Sequence, residues 1–587
     1  MTKCNTNQPI LPSRGSGGDD PPRRVQGRAL VFLYLIPLAI VAAFALLSWR
    51  GILWTPGHVY QNWDRVPTPY AEEMRQVADI SKHAWASKYD MGAPGAFSGI
   101  TRWFDLVARD AGSYLGGPFI VRWEGPIYAV AGAGGVAALC RLMGLGLWPT
   151  VLAAMVFAFN PRQFSMAVAG HVEESGFALA IVPWVLVLLF RAAVDPSKRR
   201  FLACSLTAGL LGALACSASP FGIVFYGSFT ALFTLGQTVA RRSWRPALAF
   251  ALAGGVALFL HLHWLVPAAS SIIHAADFKH HQTKEEINDH YQGIYRRYSA
   301  PLRQAMLGHT DNYGMGTEYA YPVTIKDNPE WVAAALALLG LAILGGFGRA
   351  PNRGVKYFAA LCLFMGFICL AGNKTLAGAV FYEKLLNRVP ILFFQMARPA
   401  RWLPVYYFGL ALLAGLGLAR LLEWSKDSRL NQATTLAFAA AVLAVYLHPY
   451  WTGQLTRPQN ATSQTMAMTP QPLSPAEGTL SKYFTNDPDD YRVTVWPSIA
   501  GPTGDVPEPP TNGLTRNFAL LGKDGVIGPT YIGEPYSMYL LGLLHRPWPV
   551  TDAFGRLLGL AAVKRVIYNQ TNPYLSYGSF GWMPTTK

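Results

Sequence analysis

The segment Trp54-Thr55-Pro56-Gly57-His58-Val59-Tyr60-Gln61-Asn62-Trp63-Asp64 sets one carboxylate, Asp64, beside an amide and the rings of Tyr60 and Trp63. A carboxylate in that setting can take the proton of a sugar hydroxyl, with the two rings as an apolar wall. The plainer readings are that Asp64 caps a helix starting near Thr68 or faces water. Asp90, in Tyr89-Asp90-Met91-Gly92-Ala93-Pro94-Gly95, is a second acid, and Asp-x-Gly is also an ordinary turn signal. Glu124, in Arg122-Trp123-Glu124-Gly125-Pro126, stands where an apolar block begins. It reads either as another site acid or as the carboxylate expected at a helix N-terminus.

Two further stretches carry groups suited to phosphate. Asn160-Pro161 ends an apolar block, and a short amphipathic helix then runs to Gly170-His171-Val172-Glu173-Glu174. His171 can bind phosphate or act as an acid, and Glu173 and Glu174 can ligate a divalent cation. An interfacial helix with polar ends explains the same residues. Gln395-Met396-Ala397-Arg398-Pro399-Ala400-Arg401-Trp402 places two arginines ahead of another apolar block. Guanidinium forks bind phosphate bidentately, although Arg398 and Arg401 also suit snorkelling to lipid headgroups. His261 and His263, in Leu260-His261-Leu262-His263-Trp264, are two residues apart and do not share a helix face. That spacing argues against a two-histidine metal site and leaves one ring, such as His263, to face a cavity.

The elements that must position these residues are membrane helices. Of the 587 residues 51% are hydrophobic and only 14% are charged, too few charges for a wholly soluble enzyme. Apolar blocks fall at 29–49, 125–143, 147–160, 176–194, 201–217, 219–238, 246–268, 331–348, 356–372, 403–422 and 432–449, about eleven spans. The 49 Lys and Arg against 33 Asp and Glu give a net charge of +16, mostly in short turns between blocks. That distribution reads as topology rather than as a nucleic-acid surface. With residues 1–28 as a disordered cytoplasmic tail, the basic turns Arg141, Arg191 to Arg200, Arg241 to Arg245, Arg349 to Lys356 and Arg420 to Arg429 all fall inside.

The same alternation puts 50–124, 161–175, 269–330, 373–402 and 450–587 outside. The expected organisation is a membrane domain over 29–449, with a large first outer loop at 50–124, and an extracytoplasmic C-terminal domain over 450–587. The N-terminus is then cytoplasmic in a multi-pass protein of the inner (plasma) membrane. In the C-terminal segment 450–480 reads as a linker, Tyr491–Trp496 as a strand, and Leu557–Tyr568 as a helix turning into a strand. ATP and sugar nucleotides are cytoplasmic, so they are excluded as direct substrates at the outer face, and no phosphate-binding glycine loop is present. The six cysteines, Cys4, Cys140, Cys204, Cys216, Cys362 and Cys369, form no CxxC pair and read as apolar packing residues.

Several of these features together resemble the GT-C superfamily of polytopic glycosyltransferases. They are the acid in a large first outer loop, Asn160-Pro161 leading to Ala169-Gly170-His171, Trp264-Leu265-Val266-Pro267, and Arg398-Pro399-Ala400-Arg401-Trp402 ahead of Leu413-Ala414-Gly415-Leu416-Gly417. The nearest branch contains lipoteichoic-acid glycosylation and arabinofuranosyltransferase-like proteins. Arg492-Val-Thr-Val-Trp496 and Leu560–Tyr568 are similar to parts of its outer domain.

The resemblance implies an α-helical GT-C-like membrane protein with a small outer α/β domain. It implies a polyprenyl-phosphate sugar as donor and a glycan, glycolipid or protein acceptor beside the bilayer. It also implies inverting transfer with Asp64 as base. Trp63, Tyr60, Asp90, Glu124, His171, Glu173, His263, Arg398 and Arg401 are then the substrate-binding candidates. The family often has two adjacent acids in that loop where this chain has Trp63-Asp64, so no metal ligand is assigned, and magnesium or manganese is the one cofactor left open. A non-catalytic scaffold of polysaccharide assembly and a transporter of lipid-linked sugars are the alternatives. Transporters usually show inverted repeats and broken mid-membrane helices, and neither is evident here.

Overall fold

The computed structural model describes residues 23–55, 58–61, 117–168, 176–217, 220–278, 284–308, 328–347, 352–388 and 396–456. It also describes short pieces of the first outer loop and of the C-terminal segment, among them 85–86, 93–94, 102–104, 468–471, 492–496, 524–525 and 563–568. Every apolar block is helical. In chain order the helices are α1 (Arg23–Ser48), α2 (Gly117–Leu142), α3 (Leu147–Ala158), α4 (Pro161–Val168), α5 (Phe177–Val194) and α6 (Lys198–Cys216). Then follow α7 (Pro220–Arg241), α8 (Arg245–Phe278), α9 (Lys284–Tyr298), α10 (Pro329–Phe347), α11 (Arg353–Ala371), α12 (Leu403–Trp424) and α13 (Arg429–Tyr446).

Among the described residues nine helical stretches are long and apolar enough to cross a membrane. The last of the eleven expected spans falls short by that measure. In α1 the apolar run that begins at Ala29 is followed without a break by the helical stretch Tyr34–Ser48. The first turns of α13 spend Asn431, Gln432, Thr434 and Thr435 on polar groups, and both threonine hydroxyls donate back to carbonyls four residues earlier, at 2.9 Å.

The third span is longer than its sequence block, because the helical path resumes immediately after Asn160. The Asn160 side chain makes the join. Its Nδ2 donates to the Phe157 carbonyl at 2.7 Å, and its Oδ1 caps α4 by accepting from the Gln163 amide at 3.0 Å. Helix α4 packs inside the bundle. Arg162, Phe164, Met166, Ala167 and Val168 are all buried, and Tyr450, just beyond α13, packs on its first turn. The Tyr450 hydroxyl donates to the Asn160 carbonyl at 2.9 Å, and its ring meets Phe164 edge-on with centroids 5.3 Å apart.

Small residues set the packing, as expected where lipid supplies no hydrophobic drive for helices to associate. α12 is the hub, buried from Leu403 to Leu418 and flanked by α3, α10 and α11. A Cβ on Gly417 would strike the Leu341 carbonyl of α10, and one on Gly345 would strike the Leu413 carbonyl of α12. Gly417→Val is therefore expected to destabilise the protein by about 1–3 kcal/mol through overpacking, read as a lower melting temperature in detergent. Gly346→Val, where a Cβ meets nothing within 4 Å, is the control that should leave the melting temperature unchanged.

The long connections between helices carry short elements. Strand His58–Gln61 pairs antiparallel with Met468–Gln471, register Tyr60 to Thr469, so the segment read as a linker over 450–480 contains a strand. A helical turn at Arg102–Phe104 seats Phe104 against Phe177 of α5, with ring centroids 4.9 Å apart. In the C-terminal segment Arg492–Trp496 pairs parallel with both Asp524–Gly525 and Val563–Tyr568. The strands Arg492–Trp496 and Val563–Tyr568 fall in the two segments read as strands, Asp524–Gly525 was not expected, and the helix expected from Leu557 lies outside the described residues.

Candidate functional site

Residues within α2, at the start of α5 and just beyond α1 and α3 gather at one end of the bundle. Trp49 marks the centre. A Cβ on Gly125 would come within 2.8 Å of its indole nitrogen, and its ring lies 6.1 Å from Tyr450 and 6.4 Å from Phe159. The absence of a side chain at Gly125 thus lets α2 approach α1. Glu124, one residue earlier, is buried at 6% exposure. It sits two turns inside α2 rather than in its first turn, so the helix-start reading of this carboxylate does not hold. Arg122 reaches the other way, its guanidinium donating to the Leu53 carbonyl at 3.4 Å.

Pro126, inside α2, has no N–H, so the Arg122 carbonyl lacks its usual helical donor. Across from α2, Arg162 on α4 is buried at 4% exposure. A cleft lined by Trp49, Gly125, Tyr128, Gln163 and Gly176 lies between α2 and α4, with a cavity volume of about 30 Å³. That is room for a water molecule and not for a sugar ring.

The histidine pair occupies a second patch. His261 is buried, and both its ring nitrogens are engaged. Nδ1 accepts from the Trp264 indole at 2.6 Å, which leaves Nε2 to donate to the Ala213 carbonyl at 2.9 Å. His261 therefore joins α8 to α6 as a neutral structural ring. His263 lies on the exposed side of α8 and contacts the Trp103 ring of the first outer loop at 6.2 Å. The Trp103 indole donates to the Leu260 carbonyl at 3.3 Å. The two rings do not share a helix face: His261 is interior, and His263, the ring expected to face a cavity, is on the exposed side.

The arginine pair is held by a 3-10 turn, Pro399–Trp402, that leads directly into α12. Proline forces the preceding residue into extended backbone, and Arg398 has φ −88° and ψ 111°. The Arg401 amide donates to the Arg398 carbonyl at 3.0 Å and closes the turn. Arg398 stands just ahead of the turn and Arg401 within it, and both residues are half-buried.

What steadies this turn was not picked out from the sequence. Trp402 packs edge-on against Phe381 at 5.4 Å, and Tyr382 stacks face to face on Tyr295 of α9 at 4.7 Å and 6°. Glu383 accepts from the Tyr295 hydroxyl and from the Arg296 guanidinium, the latter at 3.0 Å. Those two donors hold the Glu383 carboxyl below the usual glutamate range. Burial, and then Glu383, push the Tyr295 hydroxyl up to about 12. Glu383 and Arg296 lie 87 residues apart in the chain, and no local spacing links them.

The remaining expected residues are placed only in part. Tyr60 lies on the paired strand His58–Gln61, described by its backbone. Trp63, Asp64, Asp90, His171 and Glu173 lie outside the described residues. Among the described residues no three His, Cys, Asp or Glu side chains gather to hold a metal.

No family model and no curated protein matches the sequence. Solved structures do. Arabinofuranosyltransferase AftD from Mycobacteria superposes with a TM-score of 0.54 at 16% identity, over 81% of this chain and 31% of that one. This chain has the GT-C fold. It spans about a third of the length of AftD. The archaeal oligosaccharyltransferase AglB from Archaeoglobus fulgidus, solved with an inhibitory peptide and a dolichol-phosphate, gives a TM-score of 0.49 at 13% identity, over 94% of this chain and 71% of that one. In the GT-C-fold bundle described above, the Trp49 cluster, the Arg398–Arg401 turn and both tethers of the first outer loop lie towards the same end.

Proposed function

We propose that this protein is a membrane glycosyltransferase that moves a sugar from a polyprenyl-phosphate carrier to an acceptor at the outer face of the membrane. The observation that carries the reading is the GT-C fold shared with AftD, a named arabinofuranosyltransferase, over 81% of the chain. The paired arginines at the end of the bundle suit a lipid-linked phosphate, which would lie at that depth. The first outer loop supplies the acid. Its strand His58–Gln61, the last described stretch before Asp64, is anchored to Met468–Gln471 and approaches α2.

In this mechanism the Asp64 carboxylate removes the proton of the acceptor hydroxyl as its oxygen bonds to the anomeric carbon. The bond from that carbon to the phosphate oxygen breaks in the same displacement, so the configuration inverts. The departing phosphate gains a negative charge and needs neutralisation more than a proton. Arg398 and Arg401 supply it, with His171 as a further donor. Trp63 and Tyr60 wall the sugar, and Asp90, Glu124, Glu173 and His263 are the remaining candidates for its hydroxyls.

The test is to purify the protein in detergent and identify co-purifying lipids by mass spectrometry. A polyprenyl-phosphate sugar is expected, and its sugar names the donor. If an added polyprenyl-phosphate neither binds nor competes with what co-purifies, the lipid-linked donor is wrong.

A further inference from the structure

The opposite end of the bundle carries a separate concentration of charge. Helix α11 begins there, capped by Asn352, whose Oδ1 accepts from the Val355 amide at 3.2 Å. Its first turn holds Arg353 and Lys356 and no acid. That placement opposes the helix macrodipole, which already puts positive partial charge at this end. α12 runs antiparallel beside α11, with Gly366 against Tyr406 and Gly409 against Leu363 and Ala359, so its end, with Arg420, comes alongside Arg353 and Lys356. Glu423 and Asp427 in the following turn are exposed to water, and the cluster keeps an excess of cations.

Apolar rings border these cations on the lipid side. The Arg420 guanidinium lies over the Trp424 ring, 4.9 Å from its centroid. α10 ends on the same flank, because Gly345 seats it against α12. Phe347, Tyr357 and Trp424 are 82%, 39% and 59% exposed, and all three belong to helices long and apolar enough to span a membrane. Crowded cations next to exposed rings match a ligand with an anionic head and an apolar body.

We infer that the ends of α10 and α12 and the start of α11 form a binding site for an anionic phospholipid. The headgroup phosphate sits among Arg353, Lys356 and Arg420, and the acyl chains run along Phe347, Tyr357 and Trp424. The site is independent of the proposed transferase activity. Free inorganic phosphate would satisfy the same cations, but it has no apolar body for the rings.

The full chain, placed in vesicles of phosphatidylcholine with a minor share of phosphatidylglycerol, should retain phosphatidylglycerol selectively when bound lipid is read by native mass spectrometry. The triple variant Arg353→Gln, Lys356→Gln, Arg420→Gln should lose that selectivity on the order of a hundredfold, the worth of three interfacial cations. Arg199→Gln with Arg200→Gln, exposed cations on α6, should keep it. Equal retention of both lipids by the unaltered protein overturns the site, as does equal loss from the α6 variant. Displacement of the lipid by an equal concentration of inorganic phosphate assigns the cluster to free anions instead. Because the unaltered protein alone can fail the test, misfolding of the triple variant does not shield the inference.

Discussion

Asp64→Asn is expected to lower sugar transfer about 10²–10⁴-fold, the usual worth of a positioned base. Asparagine keeps the size and the hydrogen-bonding oxygen of the aspartate and cannot accept the proton. The variant should therefore reach the membrane, melt as the parent does and retain the same donor lipid. The measurement is transfer in membranes, using the donor identified from the purified protein. Glu124→Gln is the informative comparison. Glu124 is buried inside α2, next to the Gly125 contact with Trp49, and its loss should reduce both transfer and thermal stability. Unchanged transfer with Asp64→Asn would move the base to another residue. If the parent transfers nothing with any polyprenyl-phosphate sugar, the scaffold reading takes over, and loss of complex formation becomes its test.

Most of the helical architecture could be read from the sequence, because lipid demands long unbroken apolar blocks and the turns between them carry their own charge signature. Where the reading and the fold differ, the reason is local or long-range pairing. Asn160-Pro161 reads as an end because proline cannot donate, yet the Asn160 side chain caps the next helix and the path continues. α4 reads as amphipathic and interfacial, and Tyr450, remote in sequence, is among the residues that pack on it.

The site was legible in kind and less so in arrangement. Residue types and spacing single out Arg398 and Arg401. The stack of Tyr382 on Tyr295 and the grip of Arg296 on Glu383 arise from segments that meet only in the folded chain. His261 was not a candidate, and its two hydrogen bonds make it a structural joint between α6 and α8.

Those long-range contacts give the arginine pair its second expected result. Replacing Arg398 and Arg401 together by glutamine should cut kcat/KM for the lipid-linked donor by about 10²–10³-fold or more, the cost of removing donors aimed at developing charge. Part of the loss should fall on KM, since the donor is an anion before reaction. The rest should fall on kcat, since the leaving phosphate gains charge at the transition state. Arg→Lys at both positions keeps the charge and loses the fork, so it should recover binding more than turnover. Glu383→Gln offers a separation of cause. It removes no phosphate ligand but loosens the segment that packs on Trp402. Its effect should therefore be smaller than that of the arginine pair, and it should appear in donor KM together with thermal stability. Full transfer by the double glutamine variant at every donor concentration would mean that the phosphate is neutralised elsewhere. The Pro399–Trp402 turn would then serve only to start α12.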